Sequence, residues 1–326
     1  MRCPITYQEL EPGLRYSLQG IKMLSRKLGE FRDFPYTIQE QLEQARQRAV
    51  KMSIQGVQPK ISAVLSLKAQ TFQIVDTGGR FILKPQVLEW PEVPQNEDLS
   101  MRLATLAGVG VPEHGMVFGS DGSLVYFVRR FDRRGNNKIA VEDFGQLAGL
   151  SRNTKYDYSM EKTVGIVDRF CTFPAIEKLR LLRLTLVNFL IGNEDAHVKN
   201  FSLIKRGVIV ELAPAYDLVN STIVLNGAAE IALPISGKRN RLQRAHFFEY
   251  LAKERMRLPV TAVRKVEKEI AAALPEWPKL IKRSFLSAEA REGYAKIVAE
   301  RAERLGFGRF QPTQAGDARP VGPTRR

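Results

Sequence analysis

The period at which apolar residues recur changes along the chain, and the changes divide it. From residue 14 to residue 50, Leu and Ile recur three and four apart, and residues 38–51 are rich in Gln, Glu, Arg and Ala, which predicts mostly helix. From Ser53 the period shortens. The runs ISAVLSL, TFQIVD and RFILKP read as short antiparallel strands, with Thr77-Gly78-Gly79 as the turn before the third. Residues 96–106 (NEDLSMRLATL) carry acidic side chains in the first turn and apolar ones at Leu99, Leu103 and Leu106, the mark of an amphipathic helix. Two more strands are predicted at residues 115–118 and 124–129, split by the Asp121-Gly122 turn. Past the charged segment 131–137 the pattern turns helical. Residues 175–191 are apolar almost all round, which predicts a buried helix. Two short strands (FSLI and GVIVEL), a loop rich in Pro and Asn, and helices to about residue 305 follow. Residues 311–326 hold Pro and Gly without periodicity and read as a disordered tail.

These patterns predict an α+β chain in two lobes: a helical extension (1–52), a small β-rich lobe (53–130), a larger helical lobe (131–310) and the tail (311–326). Composition narrows what such a chain does. Of its 326 residues 44% are hydrophobic, enough for a sizeable core. Mean hydropathy is −0.22, and no apolar run approaches the roughly 20 residues of a membrane helix. The opening MRCPITYQELEPG lacks the layout of a signal peptide, so a cytoplasmic protein with no membrane partner is expected. Two cysteines, Cys3 and Cys171, exclude a disulfide scaffold. Three histidines (His114, His197, His246) without paired cysteines or an HExxH motif argue against zinc. Fifty basic against 35 acidic residues leave a net charge of +15, which suits polyanionic partners: nucleic acid, nucleotide phosphates or an acidic protein surface.

Candidate chemistry concentrates in four places. In Gly192-Asn193-Glu194-Asp195-Ala196-His197-Val198-Lys199-Asn200, Asp195 and Asn200 stand in D-x4-N spacing, which presents a carboxylate to a nucleophile and an amide oxygen to a metal from one short loop. The same residues also serve to end a helix. Asp217, seventeen residues past Asn200, offers a second hard oxygen ligand of the kind Mg2+ prefers; an ordinary turn after Pro214 uses the same residue type. Lys84 ends a strand, placed to reach phosphates as a point charge, with Glu97 at the start of the next helix able to orient it. The segment Ser53-Ile54-Gln55-Gly56-Val57-Gln58-Pro59-Lys60 has a single glycine, too few for a phosphate-loop motif, and alone reads as a turn.

Together and in this order, SIQGVQPK (53–60), FILKP (81–85), NEDLSMRLA (96–104), VRRFDR (128–133), GNEDAHVKNFSL (192–203) and PAYDL (214–218) resemble the HipA-like Ser/Thr kinases, toxins of bacterial toxin–antitoxin modules. The resemblance implies a bilobal, protein-kinase-like fold, ATP and Mg2+ as cofactors, and Asp195 as the catalytic aspartate. Asn200 and Asp217 would hold the metal. Lys84 would contact the phosphates, which Gln55, Gly56, Val57, Gln58, Pro59 and Lys60 would cover. The backbone around Arg129, Arg130 and Phe131 would hold adenine, and His197, Val198, Lys199 and Tyr216 would line the nucleotide site. Ser53 is similar to the loop serine these kinases autophosphorylate.

Only 52 residues precede Ser53, which resembles HipT, the compact kinase of tripartite HipBST modules that lacks the N-terminal subdomain of full-length HipA. In HipT a second phosphorylatable residue often follows two positions on; here it is Gln55. The implied partners are a small HipS-like antitoxin, a HipB-like DNA-binding antitoxin through which DNA is met indirectly, and an aminoacyl-tRNA synthetase as substrate, tryptophanyl or glutamyl. Two other readings stay open on the residues alone. One is a DNA-associated co-repressor or nucleic-acid binder using basic residues of 237–258 interleaved with Phe247, Phe248 and Tyr250; the other is a small-molecule kinase.

Overall fold

A computed structural model describes residues 1–49, 58–135, 137–151, 153–225 and 229–308 of the chain. Its predicted strands form: β1 (Ile61–Ser66), β2 (Thr71–Ile74), β3 (Phe81–Lys84), β4 (His114–Phe118) and β5 (Leu124–Arg129) make one antiparallel sheet in the order β2-β1-β3-β5-β4. Side chains alternate between its two faces, as strand geometry requires. Phe81, Leu83, Val125, Phe127 and Val117 fall on one face, while Tyr126, Val128 and Met116 fall on the other. Each face needs a cover.

The first face is covered by residues 3–34. Cys3, Ile5, Tyr16, Ile21, Leu24, Leu28, Phe31 and Phe34 are buried there, and Phe31 meets Phe72 edge-on at 5.6 Å between ring centres. Helix over 14–50 was the expectation from periodicity; the structure has α1 (Leu18–Leu24) and α2 (Ile38–Ala49), with 25–37 irregular. The departure has a cause. The Ser17 hydroxyl caps the start of α1, but at its end Ser25 turns extended, and Pro35 has no N–H to continue a ladder. Leu28, Phe31 and Phe34 recur every third residue because each drops onto the sheet, and backbone bonds from Arg32 to Gln70 (2.7 Å) and Phe34 to Phe118 (2.8 Å) fix them.

The second face packs against α3 (Val93–Leu106) and, through it, the helical part of the chain. A two-stranded ribbon, β6 (Arg133–Arg134) with β7 (Asn137–Lys138), leads to β8 (Val141–Asp143), α4 (Phe144–Leu147) and α5 (Met160–Phe170). Helix α6 (Pro174–Leu190) is buried over most of its surface, as its composition predicts. After it come β9 (Ser202–Arg206) and β10 (Ile209–Leu212), which form a sheet of order β10-β9-β8. Then follow α7 (Thr222–Leu225), a π-helical segment over His246–Arg255, α8 (Val260–Ala273), α9 (Trp277–Arg283) and α10 (Ala288–Arg304). The expected tail, 311–326, lies outside the described residues. Among the described residues no helix is long and apolar enough to cross a membrane.

Helix α3 is the joint between these parts. Asp98 is fully buried, bonded to Arg102 (2.8 Å) and to His114 Nδ1 (2.9 Å), while Arg102 also donates to the Ile5 carbonyl (2.8 Å). Burial pushes the Asp98 carboxyl up, but the Arg102 guanidinium and the His114 ring outweigh it and hold it below the usual carboxylate value. Burial also lowers the His114 pKa, more than Asp98 raises it, so the ring is neutral at pH 7 and Nδ1 donates to the carboxylate. Asp98→Asn strips Arg102 of its counter-charge and is expected to cost about 3 kcal/mol at pH 7 in urea unfolding. A depressed carboxyl stabilises the fold above its unfolded pKa, near 3.9, and loses that contribution as pH falls through its folded value, so the gap between wild type and variant should close on acidification below about pH 4.

Candidate active site

Strand alternation that sends Leu83 to one face sends Ile82 and Lys84 to the other, opposite Val128 and Tyr126 of β5. Lys84 ends up 3% exposed, its ammonium bonded to Glu97 (2.5 Å, 1% exposed) from α3 and to Asp217 from the loop after β10. Lys60 reaches Asp217 as well, at 3.4 Å. Two lysines and two carboxyl groups are thus gathered at one point. Burial would push the Asp217 carboxyl up, yet the Lys60 and Lys84 ammoniums hold it well below the usual range. Burial likewise opposes the charge on Lys84, and Asp217 and Glu97 outweigh it. Glu97 is pushed up to about 7, by burial first and by Asp217, with Lys84 opposing. The sequence-predicted Lys84–Glu97 pair therefore exists, and Asp217 joins it.

The opposite wall is the exit of α6. Gly192 stands at φ +78°, and a Cβ there would come within 2.7 Å of the Asn220 side chain and 2.9 Å of that of Thr222, so both backbone and space require glycine. The chain then turns through Asn193, whose amide bonds Asn188 (2.9 Å) and whose oxygen accepts from the Asp195 N–H (3.3 Å). Asp195 emerges exposed, its carboxylate accepting the Tyr156 hydroxyl. Five residues on, Asn200 Oδ1 accepts the His197 N–H at 3.1 Å. Asp217 sits at φ +55°, a left-handed conformation uncommon outside glycine, and that strain needs outside support. Support comes from Asn96, next to Glu97 on α3: it takes the Asn220 N–H (2.8 Å) and gives its own N–H to the Asn220 carbonyl (3.0 Å), both residues being buried.

Between these walls lies a cavity of about 740 Å³, within the size range of small-molecule sites. Of the residues singled out from sequence, Gln58, Lys60, Lys84, Arg129, Arg130, Phe131, Asp195, His197, Lys199, Asn200, Tyr216 and Asp217 line it. Val198 does not; it is fully buried in the core beneath. Pro59 is absent from the lining, and Ser53, Gln55, Gly56 and Val57 lie outside the described residues. The N–H groups of Arg129 and Arg130 are already given to the carbonyls of Glu113 (2.7 Å) and Arg80 (2.8 Å). Beside them Ile82, Val128, Val141 and Phe131, which stacks on Tyr216 at 5.8 Å between ring centres, form an apolar slot. Tyr156, Lys155, Asp143 and Asn96 were not foreseen. No spacing or periodicity marks the first three, and Asn96 was marked only as the first residue of the NEDLSMRLA segment, without a role of its own.

The donor set suits a hard divalent cation shared with phosphates: one ionised carboxylate, Asp217, and one amide oxygen, Asn200, open on the same space. Among the described residues no group of three or more His, Cys, Asp or Glu could hold a metal alone. Glu97 Oε2 and His197 Nδ1 are buried at this cavity without a hydrogen-bond partner, so it has polar capacity to spare. In the 237–258 region, by contrast, Phe247 and Phe248 are buried in the core, which removes them as a stacking platform for bases.

A family profile described as the HipA-like C-terminal domain matches residues 52–277. Y4dM of Sinorhizobium fredii, provisionally named a kinase, is 32% identical over 219 residues, 63% of this chain and 53% of that protein. The serine/threonine-protein kinase toxin HipA of Shewanella oneidensis is 29% identical over 206 residues, 57% of this chain and 47% of the toxin. The matches thus span about half the length of these curated relatives. Among solved structures, Shewanella oneidensis HipA, in a complex with HipB and operator DNA, superposes with a TM-score of 0.65 at 21% identity, covering 86% of this chain and 74% of that one. The Helicobacter pylori proinflammatory kinase CtkA gives 0.53 at 15% identity over 79% and 93%. At such identities the likeness carries the fold: a kinase-like arrangement of sheet lobe and helical part. With the profile covering well over half of its length, the chain belongs to the HipA-like C-terminal domain family.

Proposed function

We propose that this chain is a serine/threonine protein kinase that transfers the γ-phosphoryl group of ATP to a protein hydroxyl and serves as the toxin of a toxin–antitoxin module. The observation that carries the proposal is that the buried Lys84–Glu97 pair, Asp217, Asn200 and the exposed Asp195 all open on one cavity. Phosphoryl transfer needs little covalent chemistry from a protein; it needs positioning and fixed positive charge.

Each residue then has a task. Asp195, steadied by the Tyr156 hydroxyl, orients the substrate hydroxyl and takes its proton as the new O–P bond forms and the bond from the γ-phosphorus to the bridging oxygen breaks, ADP leaving with that oxygen. Lys84, held by Glu97, and Lys60 bring two ammoniums to the phosphates. Asp217 and Asn200 would hold Mg2+, which when bound neutralises charge on the phosphate oxygens. Ile82, Val128, Val141, Phe131 and Tyr216 offer the adenine an apolar slot. With the Arg129 and Arg130 N–H groups engaged, a backbone contact to adenine falls to the Arg130 carbonyl and the Phe131 N–H.

Regulation and partners follow the family. Ser53 is the proposed autophosphorylation site. A HipB-like antitoxin, and operator DNA through it, are proposed as partners, supported by the Shewanella complex. A HipS-like small antitoxin is proposed from the HipT resemblance, and an aminoacyl-tRNA synthetase as substrate, the tryptophanyl enzyme from the likeness to HipT or the glutamyl enzyme from that to full-length HipA, with the cytoplasm as the place of action.

With radiolabelled ATP, Asp195→Asn should lower phosphoryl transfer about a thousandfold while leaving nucleotide affinity within about twofold of wild type; retained transfer sinks the mechanism. Asp217→Asn should make nucleotide binding insensitive to added Mg2+, and mass spectrometry should find phosphate on Ser53 of the wild type but not of this variant. Phosphoproteomics after brief induction should reveal one dominant phosphorylated synthetase, and a profile with no synthetase rejects that substrate.

A further inference from the structure

Helix α10 ends beyond the stretch matched by the family profile, yet it reaches the catalytic loop through Arg301. This arginine is 4% exposed. Its Nη1 donates to the carbonyl of Phe189 (2.8 Å), in the last turn of α6, and to that of Glu230 (3.3 Å). Its Nη2 donates to Glu194 Oε1 (2.9 Å) and to Thr222 Oγ1 (3.3 Å). Glu194 is the residue before Asp195. Its side chain, 9% exposed, also accepts the Thr222 hydroxyl (2.7 Å), and its N–H donates to Ser221 Oγ (2.7 Å).

One guanidinium therefore holds both sides of the bend from which Asp195 projects: the carbonyl where the helix is ending and the carboxylate next to the catalytic one. A planar fork does this in a way a flexible ammonium does not, because its N–H vectors are fixed relative to each other. The cation also lies at the negative end of the α6 dipole. The neighbouring Arg304, bonded to Glu230 at 2.7 Å, is 20% exposed and, among the described residues, has no hydrogen bond, ion pair or ring contact to the loop 192–200.

We propose that Arg301 and Glu194 are positioning residues that set the direction of the Asp195 carboxylate, so that α10 controls the rate of transfer without touching the nucleotide. The proposal rests on the kinase reading for its rate, but its geometry has an independent readout in backbone exchange. Arg301→Lys keeps a positive charge near Glu194 and cannot span to Phe189 with fixed geometry. In this variant kcat should fall about a hundredfold, the effect of small misplacement of a reacting group, with the dissociation constant for ATP changed by less than about threefold. Amide hydrogen exchange should quicken at residues 193–195 and stay at the wild-type rate in β1–β5. Wild-type kcat together with wild-type exchange at 193–195 overturns the proposal, as does faster exchange throughout the sheet accompanied by loss of ATP affinity, which marks a general role in the fold. If the wild type itself transfers no phosphate, the kinase reading fails, and exchange at 193–195 still decides for or against positioning. Should Arg301→Lys not fold, Glu194→Gln, which preserves shape and a hydrogen-bond acceptor, is judged by the same two readings.

Discussion

Four ionisable side chains, Lys60, Lys84, Glu97 and Asp217, meet at the wall of the cavity, and the surrounding structure is arranged so that they can be there. A lysine that is 3% exposed keeps its charge because Asp217 and Glu97 face it, while Asp217 is held ionised by Lys60 and Lys84 together and burial pushes Glu97 up to about 7. The three charges around Lys84 come from separate places: Glu97 from α3, Asp217 from the loop after β10, Lys60 from the entry to β1. Bringing them together requires the sheet, its helix and the helical part to be packed correctly at once. Electrostatic cost at this point thus becomes a check on the whole assembly.

The sheet makes that possible by having two different covers. Aromatic and aliphatic side chains of the N-terminal segment cover one face, so the other is free to turn a lysine and a few apolar side chains towards a cavity. On the far wall the helix exit at Gly192 is equally constrained, by the left-handed backbone and by the side chains of Asn220 and Thr222 pressed against it. Between the two walls, Asp195 stands exposed beside the Tyr156 hydroxyl while Asp217 is half-buried between two ammoniums, so two aspartates of one chain have different surroundings.

Much of this was legible in the sequence, and the reasons are local. The strands, α3 and α6 announce themselves by period, and D-x4-N by spacing, because each depends on neighbours close in the chain. The Lys84–Glu97 pair was readable for the same reason, being thirteen residues apart across one strand-to-helix connection. What sequence misjudged was 25–37, where Leu28, Phe31 and Phe34 imitate a helix period although the sheet beneath dictates their spacing. What it missed was Tyr156 beside Asp195 and Arg301 beside Glu194, 39 and 107 residues away from their partners. No pattern in a single chain encodes such encounters.

Residues 96, 97 and 98 of α3 are consecutive, all buried, and each is spoken for elsewhere: Asn96 by the loop that carries Asp217, Glu97 by the strand that carries Lys84, Asp98 by β4 and, through Arg102, the N-terminal segment. Successive residues on a helix point about 100° apart, so these three are spread over about 200° of its circumference. Such a helix is tied to three separate parts of the chain at one level. Sliding or rotating it breaks all three engagements together, which makes assembly of the site cooperative: partly aligned states gain none of the compensating contacts and stay sparsely populated.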